Sequence, residues 1–394
     1  MKKKVAIIGG GTAGLFFAAF LDTDKYDATI YEKKATLGRK FLVAGDGGFN
    51  LTHSEELIAL KSRYTPRAFL NNALNSFGNT DLRTWLGVIG IPTFVGSSGR
   101  VFPEIEIKPI EVLKSMQTHL QNKGVQIECN RTFSSWSPDG SLVFNSDMEV
   151  QADYIVFALG GASWKVTGSE GDWLDAFKDK GIGTVPFQAS NCAYEVNWPK
   201  DFIQKYEGEP LKNISITVKN KKQKGEVVIT KFGIEGNAIY GLSPEIREAF
   251  APGKTAEVFI DFKPTLNADA IFTKLYQSKS NITTALKQNL KLSKAMVALL
   301  KVSLSKEEYT DLISLSNFIK KFSIKLVNTA PIDEAISTAG GIKLDAIDAN
   351  FELKKYTGIY CIGEMLDWDA PTGGYLIQAC ASMGAYLADH VNKK

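Results

Sequence analysis

Apolar runs and glycine-rich turns alternate at the start of the chain and predict a mixed α/β unit. Residues 5–8 form a β-branched apolar run, the glycine-rich segment 9–14 follows, and residues 15–21 have the composition of a buried helix. A second apolar run over residues 28–31 ends at Glu32. Because the intervening helix is short, both strands can pair in parallel, and the pattern predicts a βαβ unit.

Further elements extend this first block. A helical period over residues 110–123 stops at Gly124, and an apolar run over 125–129 predicts a strand. Two alternating runs flank the turn signal at residues 138–140 and predict a β-meander, which leads to an apolar strand over 154–159.

The middle of the chain has a different texture. Short alternating strands separated by Gly, Pro and Lys fill residues 190–262, and a helical period with few breakers covers residues 267–325. Strands and glycines return from Asp333, and a final helix is predicted over 377–390. We therefore expect a discontinuous Rossmann-like domain of residues 1–189 and 331–394, with a β-rich domain of 190–266 and a helical domain of 267–330 inserted.

Composition and charge exclude several classes of protein. The 394 residues are 44% hydrophobic and 23% charged, with a formal net charge of +3, which gives no broad electrostatic footprint for nucleic acid or anionic lipid. The four cysteines lie far apart without a C-x-x-C pair, so no metal site or redox dithiol is predicted and a reducing cytosol fits best. Glycines interrupt the apolar run after Met1, and no apolar stretch approaches about 20 residues, so we expect a soluble cytoplasmic protein.

The glycine-rich turn carries the first chemical signal. Gly9, Gly11 and Gly14 form G-x-G-x-x-G between a strand and a helix, where backbone N–H groups and the helix dipole can hold a pyrophosphate. Glu32 ends the second strand, from which a carboxylate can accept the hydroxyls of an adenosine ribose. An acid there disfavours a 2′-phosphate, so NADP is not expected in this pocket, whereas FAD and NAD both fit.

The C-terminal segment separates FAD from NAD. Gly363-Glu364 follows a predicted strand, where a carboxylate can bind a ribityl hydroxyl, and Pro371-Thr372-Gly373-Gly374-Tyr375 precedes the last helix. The positive end of that helix would stabilise the negative charge that develops on a reduced flavin. Residues 38–40 and 47–52 add glycines that permit close approach to a ring or a phosphate, and Lys40 is a candidate to neutralise pyrophosphate, although a solvated loop is the alternative for Arg39 and Lys40.

Several blocks of this sequence resemble the bacterial aminoacetone-oxidase-like family of FAD-binding proteins, often labelled NAD(FAD)-utilising dehydrogenases. The matching blocks lie at residues 5–14, 38–40, 47–52, 158–163, 167–172, 225–226, 232–236, 339–342, 363–367 and 372–375. The resemblance implies a two-dinucleotide-binding-domain flavoprotein fold with an inserted β-rich lobe and a helical lobe. Where many relatives carry Arg-Cys-Asn this chain has Gly48-Phe49-Asn50, and Leu376 replaces the Asn often found after Tyr, so no cysteine role carries over.

The motifs and the resemblance together give a set of predicted FAD contacts, with the cofactor held non-covalently. The set is Gly9, Gly11, Thr12, Ala13, Gly14, Glu32, Lys33, Arg39, Lys40, Gly47, Gly48, Asn50, Thr52, Val125, Ala158, Gly160, Gly161, Gly363, Glu364, Asp367, Thr372, Gly373, Gly374 and Tyr375.

Candidates for proton transfer are few. His53 follows the predicted flavin loop and Asn50, Tyr375 and Asp367 are its rivals, whereas His119 and His390 lie in predicted helices where packing is the simpler role. No second nucleotide fingerprint is present, so NAD(P)H can act only as a transient electron donor.

Three functions remain open at the level of sequence. The first is an FAD-dependent oxidoreductase acting on a small organic molecule. The second is a flavoprotein that binds or modifies RNA through the basic stretch 219–225, although that stretch lacks aromatic residues and a solvated hairpin tip is the simpler interpretation. The third is an NAD-dependent dehydrogenase without flavin. The inserted segments show only generic patterns, so neither substrate nor oligomeric state follows from them.

Overall fold

The chain folds into two compact units. The structure, a computed structural model, describes residues 1–43, 48–137, 140–145, 147–250 and 255–394. One unit comprises Met1–Ala189 with Ile332–Lys394, and the other comprises Ser190–Pro331.

Helices and strands follow one another along the chain with short connections. The N-terminal part contains β1 (Lys3–Ile8), α1 (Thr12–Phe20), β2 (Tyr26–Glu32), α2 (Arg39–Val43), β3 (Thr52–His53), α3 (Leu57–Lys61), α4 (Asn71–Ser76), α5 (Asn79–Val88), β4 (Thr93–Val95), β5 (Arg100–Pro103), α6 (Pro109–Asn122), β6 (Gln126–Cys129), β7 (Phe133–Trp136), β8 (Leu142–Phe144), β9 (Met148–Val150), β10 (Tyr154–Phe157), α7 (Leu174–Asp179) and β11 (Thr184–Ser190). The middle part contains β12 (Tyr194–Glu195), α8 (Lys200–Tyr206), β13 (Pro210–Val218), β14 (Lys221–Ile229), β15 (Gly233–Glu235), α9 (Asn237–Tyr240), α10 (Ser243–Ala249), β16 (Ala256–Asp261), α11 (Ala268–Tyr276), α12 (Ile282–Gln288), α13 (Lys294–Ser303), α14 (Lys306–Thr310), α15 (Leu312–Lys320), β17 (Phe322–Leu326) and β18 (Asn328–Thr329). The C-terminal part contains β19 (Ser337–Ile342), β20 (Ile359–Cys361) and α16 (Tyr375–Asn392).

A five-stranded parallel sheet forms the centre of the first unit, in the order β20-β10-β1-β2-β6. Residues 5–8 of β1 are buried because strands lie on both sides and helices cover the sheet. The predicted mixed α/β class with a Rossmann-like parallel sheet is confirmed. The turn at Pro138 and Asp139 lies outside the described residues, but β7, β8 and β9 form the predicted antiparallel meander.

The two ends of the chain meet in this sheet. Strand β20 pairs in parallel with β10, which pairs with β1, so a C-terminal strand lies two places from the first strand. The last helix α16 packs on α1, and a Cβ added at Gly384 would come within 2.6 Å of the backbone nitrogen of Phe17. Glycine at 384 therefore sets the close approach of the first and last helices.

The second unit contains a seven-stranded sheet, in the order β17-β16-β13-β14-β15-β12-β18 with antiparallel pairing. Helices α11 to α15 begin at side-chain caps, namely Asn267, Asn281, Ser293, Ser305 and Asp311. The helical period expected up to Lys325 is wrong for residues 322–325, which belong to a strand. Residues Phe322–Leu326 alternate buried and exposed side chains and pair with β16, which ties the helical segment to the sheet.

None of the helices in the described part of the chain is long and apolar enough to cross a membrane.

Candidate active site

The three glycines of the first turn have three different physical roles. Gly9 has φ +111°, and a Cβ there would press against the carbonyl group of Ala158 at the end of β10. A Cβ on Gly14 would press against the carbonyl oxygen of Gly9, so this glycine lets α1 pack on the turn. A Cβ on Gly11 would meet nothing within 4 Å. The open space in front of Gly11 is where the motif places a pyrophosphate.

Helix α1 presents free backbone donors to that space. Its N-cap is Gly11, which has no side chain to cap the helix, so the N–H groups of Thr12, Ala13 and Gly14 face outward without a side-chain acceptor. Such a terminus carries partial positive charge and favours a phosphate.

Glu32 is fixed by two backbone hydrogen bonds at the end of β2. Its carboxylate accepts the Gly10 N–H through Oε2 and the Lys34 N–H through Oε1, each at 2.8 Å. A carboxylate has about four acceptor sites, so lone pairs remain for ribose hydroxyls. The adenosine position predicted for Glu32 is thus compatible with its contacts.

The predicted basic residues divide between two clusters. Lys33 pairs with Glu170 at 2.9 Å and with Asp172 at 3.5 Å. Lys40 donates to Ser163 Oγ at 3.0 Å and pairs with Glu364 Oε2 at 3.1 Å. Lys40 therefore links the first loop to the C-terminal Gly363-Glu364 block.

The other predicted contact residues of the N-terminal half, Arg39, Gly47 and Val125, differ in where they lie. The Nε of Arg39 is buried without a partner among the described residues, and its Nη2 lies 3.5 Å from the Val166 carbonyl oxygen. Gly47 lies outside the described residues. Val125 lies away from Glu32. Cys129 pairs with Glu32 in the β2–β6 register, and Val125 precedes Cys129 by four residues, toward the opposite end of the strands.

Glycines that follow β10 and β20 allow neighbouring segments to pack closely at the centre of the site. A Cβ on Gly161 would collide with Thr338 Oγ1, and Gly160 has φ +75°. Gly363 has φ +86°, and a Cβ there would come within 2.9 Å of the Ala13 Cβ in the first turn of α1. Gly363 thus brings the C-terminal block against the phosphate-binding end of α1. Asp367 instead accepts the Gly340 N–H at 3.0 Å and holds β19.

The N-terminus of α16, like that of α1, has no side-chain cap. Thr372 and Gly373 lead into Gly374, the N-cap, which has φ +91° and no side-chain cap. A Cβ on Gly374 would lie 2.6 Å from the backbone nitrogen of Thr52. Buried Thr52 donates from Oγ1 to Gln378 Oε1 at 2.6 Å, so the predicted flavin loop is docked on the start of α16.

The proposed catalytic side chains are already engaged. The imidazole of His53 stacks on the ring of Tyr375 with centroids 5.5 Å apart. Its Nδ1 accepts the Glu55 N–H at 3.1 Å, so its Nε2 carries the proton and donates to the Ser98 carbonyl at 3.1 Å. Asn50 Nδ2 donates to the Gly48 carbonyl at 3.2 Å within its own loop.

An ion pair that the sequence did not predict anchors Tyr375. The Tyr375 hydroxyl donates to Glu55 Oε1 at 2.8 Å, and Arg63 donates to both carboxylate oxygens of Glu55. Burial alone would raise the pKa of Glu55, but the hydrogen bonds from Arg63 and Tyr375 leave that pKa below its ordinary value. Burial, and then the Glu55 charge, raise the pKa of Tyr375 far above its ordinary value. Tyr375 is therefore a neutral phenol that donates to Glu55.

The basic stretch 219–225 belongs to the β13–β14 hairpin in the second unit. Lys219 pairs with Glu248 at 2.9 Å, Lys221 with Glu245 at 2.7 Å, and Lys222 lies 3.5 Å from Asp261. These partners neutralise much of the positive charge at the hairpin.

The parallel sheet carries two helix ends without side-chain caps, at α1 and α16, and Glu32 is fixed beside the first. The helix ends offer backbone donors and the Glu32 carboxylate offers acceptors, the two kinds of group that suit an adenine dinucleotide. The motif places a diphosphate at α1 and an adenosine ribose at Glu32, and Gly363 connects α1 to the segment that leads to α16. Within the described residues no group of three His, Cys, Asp or Glu side chains could hold a metal ion. Fold and site together define an FAD-dependent oxidoreductase.

Comparison with known proteins identifies the family. The model of the HI0933-like protein Rossmann domain matches residues 3–390, and the chain belongs to that family. It is 25% identical to 3-dehydro-bile acid delta(4,6)-reductase of Clostridium scindens, over 98% of each chain. It is 27% identical to ribosomal RNA dihydrouridine synthase of Haemophilus influenzae over 94% of each chain, and 22% identical to the Escherichia coli protein of that name over 98% of each.

A solved structure agrees on the fold. The 3-ketosteroid delta1-dehydrogenase of Sterolibacterium denitrificans is similar over 100% of both chains, with a TM-score of 0.51 and 12% sequence identity. At 12% sequence identity, this similarity shows a shared fold and nothing about the reaction.

Proposed function

We propose that this protein is an FAD-dependent reductase that saturates a carbon–carbon double bond conjugated with a carbonyl group. The observation that carries the proposal is the chemistry shared by relatives with different names. A 3-dehydro-bile acid delta(4,6)-reductase and a dihydrouridine synthase are both named for adding hydrogen to a ring double bond conjugated with a carbonyl. These relatives span at least 94% of this chain, so the same reaction on a different substrate is the simplest inference.

The residues of the chain fit such a reaction through binding and orientation. When bound, FAD supplies the acceptor and donor of the electron pair. We assign the diphosphate to the N-terminus of α1 in front of Gly11, the adenosine ribose to Glu32, and the ribityl chain to Glu364 beside Lys40. The ring is assigned to the N-terminus of α16, whose dipole favours negative charge on the ring. These contacts are hydrogen bonds and charges, so binding is non-covalent.

The electron donor in this proposal is a reduced nicotinamide. The chain carries one G-x-G-x-x-G fingerprint after a strand, and FAD occupies it in this assignment. A nicotinamide then binds transiently against the exposed ring and leaves before the substrate enters. The narrower aminoacetone-oxidase-like assignment and a cytoplasmic location are further predictions.

Absorbance of the bound cofactor tests the proposal in two steps. The protein purified with FAD should bleach when NADH or NADPH is added without oxygen. A small cyclic enone should then restore the oxidised spectrum with one equivalent of saturated product, whereas the saturated ketone should not. If no conjugated carbonyl compound restores the colour, the proposed reaction is wrong.

A uridine in RNA is the second candidate substrate, since two relatives are named ribosomal RNA dihydrouridine synthases. The acidic partners of Lys219, Lys221 and Lys222 weaken the case for an RNA-binding hairpin. Reoxidation of the reduced protein by a ribosomal RNA fragment, and not by small enones, would favour RNA. Retention of that fragment should then fall steeply with salt.

A further inference from the structure

The side chain of Arg100 lies beside the N-terminus of α16, although no sequence pattern singles this residue out. It is the first residue of β5 and pairs with His53 of β3 in an antiparallel register. A Cβ on Gly373 would lie 3.5 Å from the Nε of Arg100 and 3.2 Å from the Tyr375 ring. The guanidinium is thus beside the helix end that is assigned to the flavin ring.

The two arginines near Tyr375 differ in their partners. Arg63 is committed to Glu55 through two hydrogen bonds. Arg100 is half-buried, and its side chain forms no hydrogen bond or ion pair with the part of the chain that the structure describes. A guanidinium has five donors and prefers an oxygen that carries negative charge. An unpaired guanidinium in a partly desolvated place is therefore suited to an oxygen of a ligand.

Other side chains at this helix end cannot take that role as they stand. The hydroxyl of Tyr375 donates to Glu55, and both ring nitrogens of His53 have partners. Asn50 donates within its own loop. Among the described residues of this group, Arg100 is a cation whose side chain has no partner, and it lies on a strand, which holds its position better than a loop would.

We propose that Arg100 binds the carbonyl oxygen of the conjugated substrate and stabilises the negative charge that develops there. This inference rests on the proposed function. The nicotinamide is oxidised by two electrons and the substrate is reduced by two. The β-carbon of the enone gains a hydride, the π electrons move to the carbonyl oxygen as an enolate, and Arg100 pairs with that oxygen. Water then protonates the α-carbon and restores the carbonyl.

The proposed role of Arg100 predicts that a substitution slows electron transfer to the enone and leaves electron transfer from the nicotinamide unchanged. Transfer from the nicotinamide does not involve the enone, so Arg100 should not affect it. Transfer to the enone creates the enolate oxygen, and loss of a donor to such an oxygen typically lowers the rate by a factor of about 100 or more. A residue that served only to bind FAD would affect both parts.

The test compares Arg100→Gln, Arg100→Lys and the control Lys114→Gln, which removes an exposed positive charge from α6. Rapid-mixing absorbance measures reduction by the nicotinamide and reoxidation by a cyclic enone separately. Calorimetry on the oxidised protein, without any electron donor, measures the Kd of the enone in the absence of turnover. Fluorescence of released flavin measures FAD affinity, and thermal unfolding checks the fold of each variant.

We expect Arg100→Gln to reoxidise about 100-fold more slowly and to bind the enone more weakly, with nicotinamide-dependent reduction unchanged within about twofold. Arg100→Lys keeps the charge and should recover at least about tenfold of the lost rate. Lys114→Gln should match the wild type. Equal losses in both half-reactions, loss of FAD, or unchanged reoxidation in a folded Arg100→Gln protein would overturn the role of Arg100. A wild-type protein that no enone reoxidises would instead overturn the proposed function.

Discussion

Alanine at Gly11 and alanine at Gly14 should have opposite consequences, although both glycines belong to one motif. In the structure a Cβ on Gly11 meets no atom within 4 Å, and its φ of −80° suits any residue. The apo fold should therefore tolerate Gly11→Ala. The added methyl group fills the space assigned to the diphosphate and pushes it away from the N–H groups of α1.

The size of each effect follows from the contacts. Weakening about two charge-assisted hydrogen bonds at roughly 1.5 kcal/mol each amounts to about 3 kcal/mol, which is about 100-fold in the Kd for FAD. A Cβ on Gly14, in contrast, would stand closer than 3.0 Å to the carbonyl oxygen of Gly9, a separation that real Cβ atoms essentially never show. The turn or the helix must move, and strain of this kind costs about 1–3 kcal/mol of folding free energy.

Two measurements separate these outcomes. Chemical denaturation of the apo proteins gives the free energy of unfolding, and titration with FAD followed by flavin fluorescence gives the Kd. Gly11→Ala should unfold like the wild type and bind FAD weakly, whereas Gly14→Ala should be destabilised before any cofactor is added. Wild-type FAD affinity in Gly11→Ala, or wild-type apo stability in Gly14→Ala, would refute the roles given to these glycines.

Three further substitutions test the remaining parts of the site. Glu32→Gln removes the charge and one of the two backbone contacts made by the carboxylate, so FAD affinity should fall by about tenfold or more in equilibrium titration. Thr52→Val leaves the buried Oε1 of Gln378 without its donor. The free energy of unfolding, measured with denaturant, should fall by about 1–3 kcal/mol. An unchanged FAD affinity per folded molecule would show that the contact is structural. Because the folded pKa of Glu55 lies below its ordinary value of 4.5, its contacts stabilise the fold above that pH and are lost as the pH falls through the folded pKa. Glu55→Gln should therefore flatten the decline in stability as the pH falls below that ordinary value, and an unchanged slope would contradict this.

Local sequence determined the N-terminal βαβ unit and its chemistry. The apolar runs, the spacing of Gly9, Gly11 and Gly14, and the acid at the end of the second strand all lie within 32 residues. Each is a signal that acts over a few residues, through turn geometry, helix capping or the two-residue period of a strand. The parallel sheet and the flavin-binding class followed from these signals together with the glycines at the C-terminal end.

Local sequence signals did not predict how strands that are distant in sequence pair with one another. Val125 was predicted at the site, whereas the pairing of β2 with β6 brings Cys129 to the level of Glu32. Residues 322–325 continued an apparent helical period but belong to the strand β17, because β16 was available to pair with them. Tertiary pairing can override a local period of this length.

Only the tertiary structure assembled the group around Tyr375. Glu55 and Arg63 flank the short helix α3, Arg100 begins β5, and none of the three belongs to a motif. The pairing of β3 with β5 carries Arg100 to His53, and the docking of Thr52 on Gly374 carries both to α16. The sequence by itself determined the turn that we assign to a dinucleotide, since that turn is made of backbone from consecutive residues. The group around Tyr375, which includes the arginine that we propose as the substrate contact, was decided by long-range packing, because side chains from distant segments meet only after the sheets have formed.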